Sequence, residues 1–261
     1  MDIAAIPWAE LAPFILIGLF AQAIDSALGL GFGVLSNSLL VLFGTPPIAA
    51  SSATRTAESF TSGAAGMAHI LQRNVDWPLF ARLAVPGVIG GVAGIWVLYF
   101  LKSDILRPVL LVYLIAVGAY LLWRAPRRPF AFRRIRLVAP LGFLGGFLDS
   151  SGGGGWGPLV TGNLLAQGMT PRIAVGTANA AEFFVTVTVL TAFVGIHGLQ
   201  FTNAATGILI GGLVAAPFGA WLTRRMPPKL LLQLVGVLLV ATSIWSLASL
   251  MFERLPVFPR I

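Results

Sequence analysis

The chain has 261 residues, 57% of them hydrophobic and 10% charged, with a mean hydropathy of +0.90. A soluble domain carries about 25% charged residues, so this composition excludes a water-exposed globular surface and points to a lipid bilayer as the surroundings. The formal net charge of +8 would suit a nucleic-acid binder, but Arg124, Arg127, Arg128, Arg133, Arg134 and Arg136 crowd one short segment between apolar runs. Basic residues placed there set membrane topology by staying on the cytoplasmic side, and no nucleic-acid partner is expected.

Cysteine is absent, which removes disulfides, thiolate metal sites and thiol nucleophiles. The N-terminal charges are Asp2 and Glu10 rather than Lys or Arg, so the first apolar stretch is read as part of the mature protein and not as a signal peptide.

In chain order, an apolar stretch over 11–43 is broken by glycines at its centre. A helix follows from Pro47 to about Leu71, with proline in its first turn. Plain apolar helices are predicted over 79–101 and 105–123. After the Arg-rich segment 124–136 the same four pieces recur: a glycine-broken stretch over 138–167, a proline-started helix from Pro171 to about Ile196, and apolar helices over 203–223 and 229–251. The run starting at Asp25 (DSALGLGFGVLSNSLLVLFGTPPIAA) matches that starting at Asp149 (DSSGGGGWGPLVTGNLLAQGMTPRIAV), an offset of 124 residues. Gly and Leu matches mean little in so apolar a chain. The pairings Asp25/Asp149 and Glu58/Glu182 mean more, because Asp and Glu are scarce, and Pro47/Pro171 recurs at the same offset. A duplication of this length fits the two-repeat plan of many transporters. The expected organisation is a first membrane repeat over 1–123, an Arg-rich cytoplasmic linker over 124–136 and a second membrane repeat over 137–261.

Two topologies are open. If each glycine-broken stretch is a re-entrant hairpin, each half crosses the membrane three times and the halves are inverted, with both basic clusters (124–136 and Arg224, Arg225, Lys229) inside. If each stretch crosses, eight helices span the bilayer in parallel repeats and the two clusters face opposite sides. The preference of basic residues for the cytoplasm favours the inverted all-α fold. So does the rule that irregular backbone at membrane depth is tolerated only where protein or a water-filled cavity covers it.

Ionisable residues inside a membrane are functional candidates by default. Asp25 and Asp149 lie beside the glycine breaks, where a half-helix start offers N–H groups suited to an anion. Ser26, Ser150 and Ser151 add hydroxyls, and Gly153 and Gly154 let backbone approach a ligand. The competing reading is that the glycines serve packing and each Asp caps a half-helix; the two roles are compatible. On the first proline-started helix Ser51, Thr54, Arg55, Glu58 and Ser62 share a face; the second copy reads Val175, Ala178, Asn179, Glu182 and Thr186, with Thr177 adjacent. Arg55 against Asn179 suggests one anion bound asymmetrically, with Asn179 donating hydrogen bonds. The competing reading is a structural Arg55–Glu58 ion pair. Asp25, Glu58, Asp149 and Glu182 are candidates for proton coupling, or alternatively for cation ligation.

Asn37, Asn163 and Gln167 are candidates to line the path, and Trp156 to shape the cavity. Trp77, Trp123 and Trp245 read as interface anchors. His69 and His197 are too few for a metal site and read as interfacial residues; no metal or cofactor is implied. Walker, serine-elbow and zincin motifs are missing, so no ATPase or hydrolase is expected.

At these residues the chain resembles the sulfite exporter TauE/SafE family, also called the toluene-sulfonate uptake permeases. The resemblance rests on the glycine-rich segments Asp25–Gly33 and Asp149–Pro158. Each is followed by a proline-started helix, Pro47-Ile48-Ala49-Ala50 in the first copy and Pro171-Arg172-Ile173-Ala174-Val175-Gly176-Thr177 in the second. It spans roughly residues 11–250; the first copy departs in having Phe32 and Val34 where the second has Trp156 and Pro158. The resemblance implies a secondary transporter of the bacterial inner membrane, moving a small sulfur-containing anion such as sulfite, a sulfonate or a sulfoacetate-like compound. The expected partners are that anion, the bilayer and, for a homodimer, a second copy of the chain. Transport of another anion or of a cation, and a non-transporting assembly subunit, are the alternatives.

Overall fold

The computed structural model describes residues 8–100, 106–125, 127, 135–152, 155–197 and 202–253. Among them the secondary structure is entirely helical: α1 Trp8–Leu28, α2 Phe32–Leu42, α3 Pro47–Leu71, α4 Trp77–Phe100, α5 Leu106–Arg124, α6 Val138–Gly152, α7 Trp156–Ala166, α8 Pro171–His197, α9 Asn203–Arg225 and α10 Pro228–Glu253. Segments of α1, α4, α8, α9 and α10 are long and apolar enough to cross a bilayer. Large apolar side chains such as Leu16, Val85, Trp96 and Val214 point outward, as lipid-facing residues must. The protein is a multi-pass membrane protein.

The ends of α2 and α7, 124 residues apart, share one backbone detail. Gly44 and Gly168 end α2 and α7 with φ of 88° and 99°. At both ends the same pair of bonds satisfies the last carbonyls: Gly44 N–H to Val41 O and Thr45 N–H to Leu40 O, then Gly168 N–H to Leu165 O and Met169 N–H to Leu164 O. This is the left-handed glycine cap that lets a helix stop without orphaned carbonyls.

The helices pair across the halves. α1 packs along α9 and α4 along α6, through glycines that bring backbones together. A Cβ at Gly142 would meet the Leu83 carbonyl, and one at Gly219 would meet Ser26. Both pairs are parallel, since α1 residues rise with α9 numbers and α4 residues with α6 numbers. The repeat-related pairs run the other way. Along α3, Ser59 meets Thr186, Gly63 meets Phe183 and Gly66 meets Ala180, so α3 and α8 cross antiparallel. Gly118 against Val240 and Leu122 against Gly236 make α5 and α10 antiparallel too.

α6 and α7 form a hairpin whose outer ends meet, because the Arg136 N–H donates to Gln167 Oε1 at 2.8 Å. Arg124, at the end of α5, donates to the Ala166 carbonyl at 2.7 Å and so closes the end of α7. The end of α9 lies beside that of α3, through Arg224 and Gln72 Oε1 at 3.2 Å. One end of the bundle therefore collects Arg73, Arg124, Arg127, Arg136, Arg224, Arg225 and Lys229. At the opposite end Glu10 accepts from Asn203 at 3.0 Å.

Candidate functional site

The two glycine breaks share an aspartate that caps the helix after the break, while the glycine before that helix differs in conformation, Gly31 at φ 118° and Gly155 at φ −81°. At the first, Gly29 (φ 73°) and Gly31 (φ 118°) turn the chain back in the left-handed region that only glycine enters freely. The Phe32 N–H then donates to the Asp25 carboxylate. At the second, the Trp156 N–H donates to Asp149 Oδ1 at 3.2 Å. Each Asp thus caps a half-helix from across its own break, supplying the negative charge that the helix start attracts. The breaks also touch: a Cβ at Gly157 would meet Gly29 O and Leu30, and one at Gly29 would meet Thr161.

Beside these breaks α3 and α8 cross. Ser62 Oγ and Thr186 Oγ1 lie 3.0 Å apart, and their separation along the chain equals the repeat offset. The contact thus joins two residues that the sequence offset pairs. Glu58 and Glu182 sit one turn away on either side, both buried. Glu58 lies within electrostatic reach of Asp149, Asp25 and Arg55, and Glu182 within reach of Asp25, Glu58 and Asp149. These neighbours come from both halves: Asp149 stands near Glu58, and Asp25 near Glu182. Four buried carboxylates, 3% to 8% exposed, gather where two breaks meet two crossing helices. Such a concentration of acid is costly in a bilayer interior.

Arg55 is half-buried, and among the described residues no ion pair joins it to Glu58. The structure does not set Arg55 opposite Asn179. Because α3 and α8 are antiparallel, Asn179 lies level with Gly66, eleven positions along α3 from Arg55, or about 16 Å at 1.5 Å per residue. Nor does Asn179 present a donor: its Nδ2 donates to Val175 O at 3.1 Å, leaving Oδ1 buried without a partner. A single sequence cannot show this, since it depends on helix direction and on which end of an amide is already engaged.

The remaining expected residues are placed as follows. Ser26 Oγ accepts from Gln22 Nε2 at 2.9 Å, and Ser150 Oγ donates to Phe147 O at 3.0 Å. Thr177 Oγ1 accepts the Asp76 N–H at 2.9 Å and so ties α8 to the start of α4. Asn37 Oδ1 accepts from Ser51 at 3.3 Å, and Asn163 Oδ1 from Tyr113 OH at 2.6 Å. Trp156 is fully buried as a packing knob; its indole N–H donates to Ala178 O at 3.1 Å. The Ser151 side chain, Gly153, Gly154 and the His197 side chain lie outside the described residues. Trp77, Trp123 and Trp245 are exposed.

His69 is not interfacial. It is fully buried; Nε2 donates to Ser26 O at 2.8 Å, and Nδ1 accepts from Asn74 Nδ2 at 3.1 Å. Thr223 donates to the same Ser26 carbonyl at 3.1 Å. Position near a helix end suggested an interfacial residue, but the hairpin tip covers it. Gln22, with Nε2 near Asp25 Oδ2 at 3.5 Å and Oε1 unpartnered, was also not anticipated. Its spacing of three from Asp25 was the available signal.

A helical bundle with long apolar helices, two broken segments and a buried polar centre is the architecture of a polytopic membrane protein. The profile of the family described as sulfite exporter TauE/SafE matches residues 14–246, and the chain belongs to that family. A probable membrane transporter protein, YtnM of Bacillus subtilis (strain 168), is 35% identical over 263 residues, covering 97% of this chain and 87% of the relative. No solved structure matches the chain.

Proposed function

We propose that this membrane transporter is a secondary transporter of the bacterial inner membrane. It moves a small sulfur-containing anion, sulfite or a sulfonate or sulfoacetate-like compound, coupled to an ion gradient. Its two repeats, 1–123 and 137–261, are inverted about an axis in the membrane plane through Ser62 and Thr186, and the Arg-rich linker 124–136 is cytoplasmic. Support for the inversion comes from the antiparallel crossings of α3 with α8 and α5 with α10, and from the gathering of basic residues at one end. The observation that carries the transport reading is the duplicated polar centre: paired carboxylates from both halves, with Arg55 as the cation beside them. Arg55 attracts the anion, and the carboxylates carry the coupling ion that offsets its charge.

Flux into proteoliposomes tests this. Wild-type protein should move sulfite, sulfoacetate or taurine, and Arg55→Ala should abolish that flux. Intact flux in Arg55→Ala would refute the anion role. A purified protein that moves none of these solutes while copurifying a fixed partner would favour an assembly subunit.

A further inference from the structure

Among the described residues, two helices carry the same three-rung ladder at the basic end of the bundle. On α5, Tyr120 and Trp123 stack with ring centroids 6.0 Å apart and planes at 29°. The guanidinium of Arg127, just past the end of α5, lies over the Trp123 ring, 5.1 Å from its centroid, and Nη1 donates to Trp123 O at 2.8 Å. On α9, Phe218 and Trp221 stack at 5.7 Å and 26°, and the Arg225 guanidinium lies over Trp221 at 4.3 Å. An aromatic, a Trp and an Arg thus stand at i, i+3 and i+7 in both, the spacing that keeps side chains on one helix face. Duplication did not make this pair. The 124-residue offset carries Tyr120, Trp123 and Arg127 onto Ile244, Leu247 and Met251, and Phe218, Trp221 and Arg225 back onto Gly94, Val97 and Leu101. None of those six is aromatic or basic, so each ladder stands independently of the repeat.

The rungs match the layers of a membrane surface. Seven residues of helix rise about 10 Å, more than the headgroup layer of roughly 5–8 Å on each side of the hydrocarbon core. An arginine at the phosphate level therefore sets the first ring of its ladder among the acyl chains, with the tryptophan between them at the depth indoles prefer. Tyr120, Trp123 and Phe218 are 41%, 51% and 55% exposed, and both arginines are exposed. An occupant that covers a whole ladder must offer an anion at one end and an apolar chain at the other. A dissolved anion meets only the arginine, and a polar macromolecule cannot follow the rings to hydrocarbon depth. An anionic phospholipid does both. The indole face holds the guanidinium, whose fork of donors suits phosphate. Among the described residues no carboxylate forms an ion pair with either arginine.

We infer that each ladder docks one anionic phospholipid, its phosphate on the guanidinium and the first part of an acyl chain along the stacked rings. A zwitterionic lipid fits less well, because its own cation competes with the arginine for the phosphate. α5 packs on α10 and α7, and α9 on α1 and α3, so the two sites occupy separate parts of the perimeter and each takes its own lipid. The inference goes beyond the transport reading and does not depend on which solute the protein moves.

The test is thermal unfolding of the purified full chain in neutral detergent doped with phosphatidylglycerol or phosphatidylcholine at equal mole fraction, since a ligand of the folded state raises the midpoint. Phosphatidylglycerol should give a saturable rise well above that of phosphatidylcholine, and inorganic phosphate should give none. Arg127→Gln combined with Arg225→Gln should raise the half-saturating phosphatidylglycerol fraction at least about tenfold, or about 1.4 kcal/mol. Lys229→Gln removes an exposed charge at the same end but touches neither ladder, and should leave it within about threefold. Trp123→Leu combined with Trp221→Leu keeps both charges and should still weaken binding, because the rings that hold the guanidinium groups are gone. Native mass spectrometry counts the sites without relying on unfolding: wild type should retain two phosphatidylglycerol molecules and each single arginine variant one. Equal rises with the two lipids, a rise with inorganic phosphate as large as with phosphatidylglycerol, or an equal loss in Lys229→Gln and the double arginine variant would overturn the sites. So would unweakened binding in the tryptophan pair, or a lipid count unchanged in both single arginine variants.

Discussion

Trp156 offers a prediction whose sign can be worked out from the packing. Its indole fills a slot walled by Gly87 of α4 and Gly145 of α6. A Cβ on Gly87 would lie 2.6 Å from Trp156 Cζ3 and 2.8 Å from Cη2. Gly87→Ala alone should therefore overpack the slot and destabilise by about 1–3 kcal/mol. Trp156→Phe alone removes those same two ring atoms and the N–H bond to Ala178 O. A lost hydrogen bond of about 1 kcal/mol and a small cavity at about 24 cal/mol per Å³ put its cost near 2 kcal/mol. Combined, the new methyl occupies the space vacated by Cζ3 and Cη2, and alanine is the better helix former by roughly 0.5–1 kcal/mol. The double variant should then be more stable than Trp156→Phe, so that Gly87→Ala changes sign with background. The Val185 methyl, 3.0 Å from the same Cβ, must also give by a few tenths of an ångström. Reversible unfolding in mixed micelles would supply the four free energies of the cycle. Additivity within about 0.5 kcal/mol would refute the proposed interlock of hairpin and α4.

His69→Ala removes one hydrogen bond each from Ser26 O and Asn74 Nδ2, which keep Thr223 Oγ1 at 3.1 Å and Ala220 O at 3.3 Å as partners; two lost bonds of about 1 kcal/mol each put the expected loss at about 2 kcal/mol, with His69→Gln recovering part of it in the same unfolding assay. Removing the hydroxyl bridge between α3 and α8 should cost little. In a Ser62→Ala, Thr186→Val cycle each partner keeps a bond within its own helix, to Ser59 O at 3.3 Å and Phe183 O at 3.1 Å, so a coupling of about 0.6 kcal/mol, the average for bonds between membrane helices, is expected. Since the chain has no cysteine, single cysteines at Arg127 and Lys229 can be labelled in intact cells with an impermeant maleimide. Under the inverted topology both stay unlabelled from outside while Trp8→Cys is labelled, and opposite labelling of the first two would refute it.

Much of the architecture was legible because its signals are local. Glycine pairs at the breaks, proline at each helix start and the apolar runs gave helix bounds close to those observed; α4 and α10 begin only slightly earlier, at Trp77 and Pro228. The paired Asp and Glu positions were legible because charge is scarce in an apolar chain. Relations that depend on helix direction were not. Arg55 and Asn179 occupy equivalent positions in sequence, which suggested opposition, yet along the antiparallel pair α3 and α8 equivalents draw apart on either side of Ser62 and Thr186. The roles of His69 and Thr177 were hidden for a related reason: their partners, Ser26 O and the Asp76 N–H, are backbone groups in other elements, and backbone groups leave no mark in a sequence.

The contact between Ser62 and Thr186 has a consequence for how such a chain assembles. An interface whose central residues are equivalents of one another is isologous, the arrangement by which a protein recognises its own copy. The surface that α3 presents to α8 is what a single repeat would offer to a second one, and the linker need only keep the two within reach. Its contribution is effective concentration rather than geometry. The two halves, made as separate polypeptides cut within 124–136, should find each other in the membrane, with fidelity set by what differs between them: Arg55 against Asn179, Gln22 against Gly146, and Phe32 against Trp156.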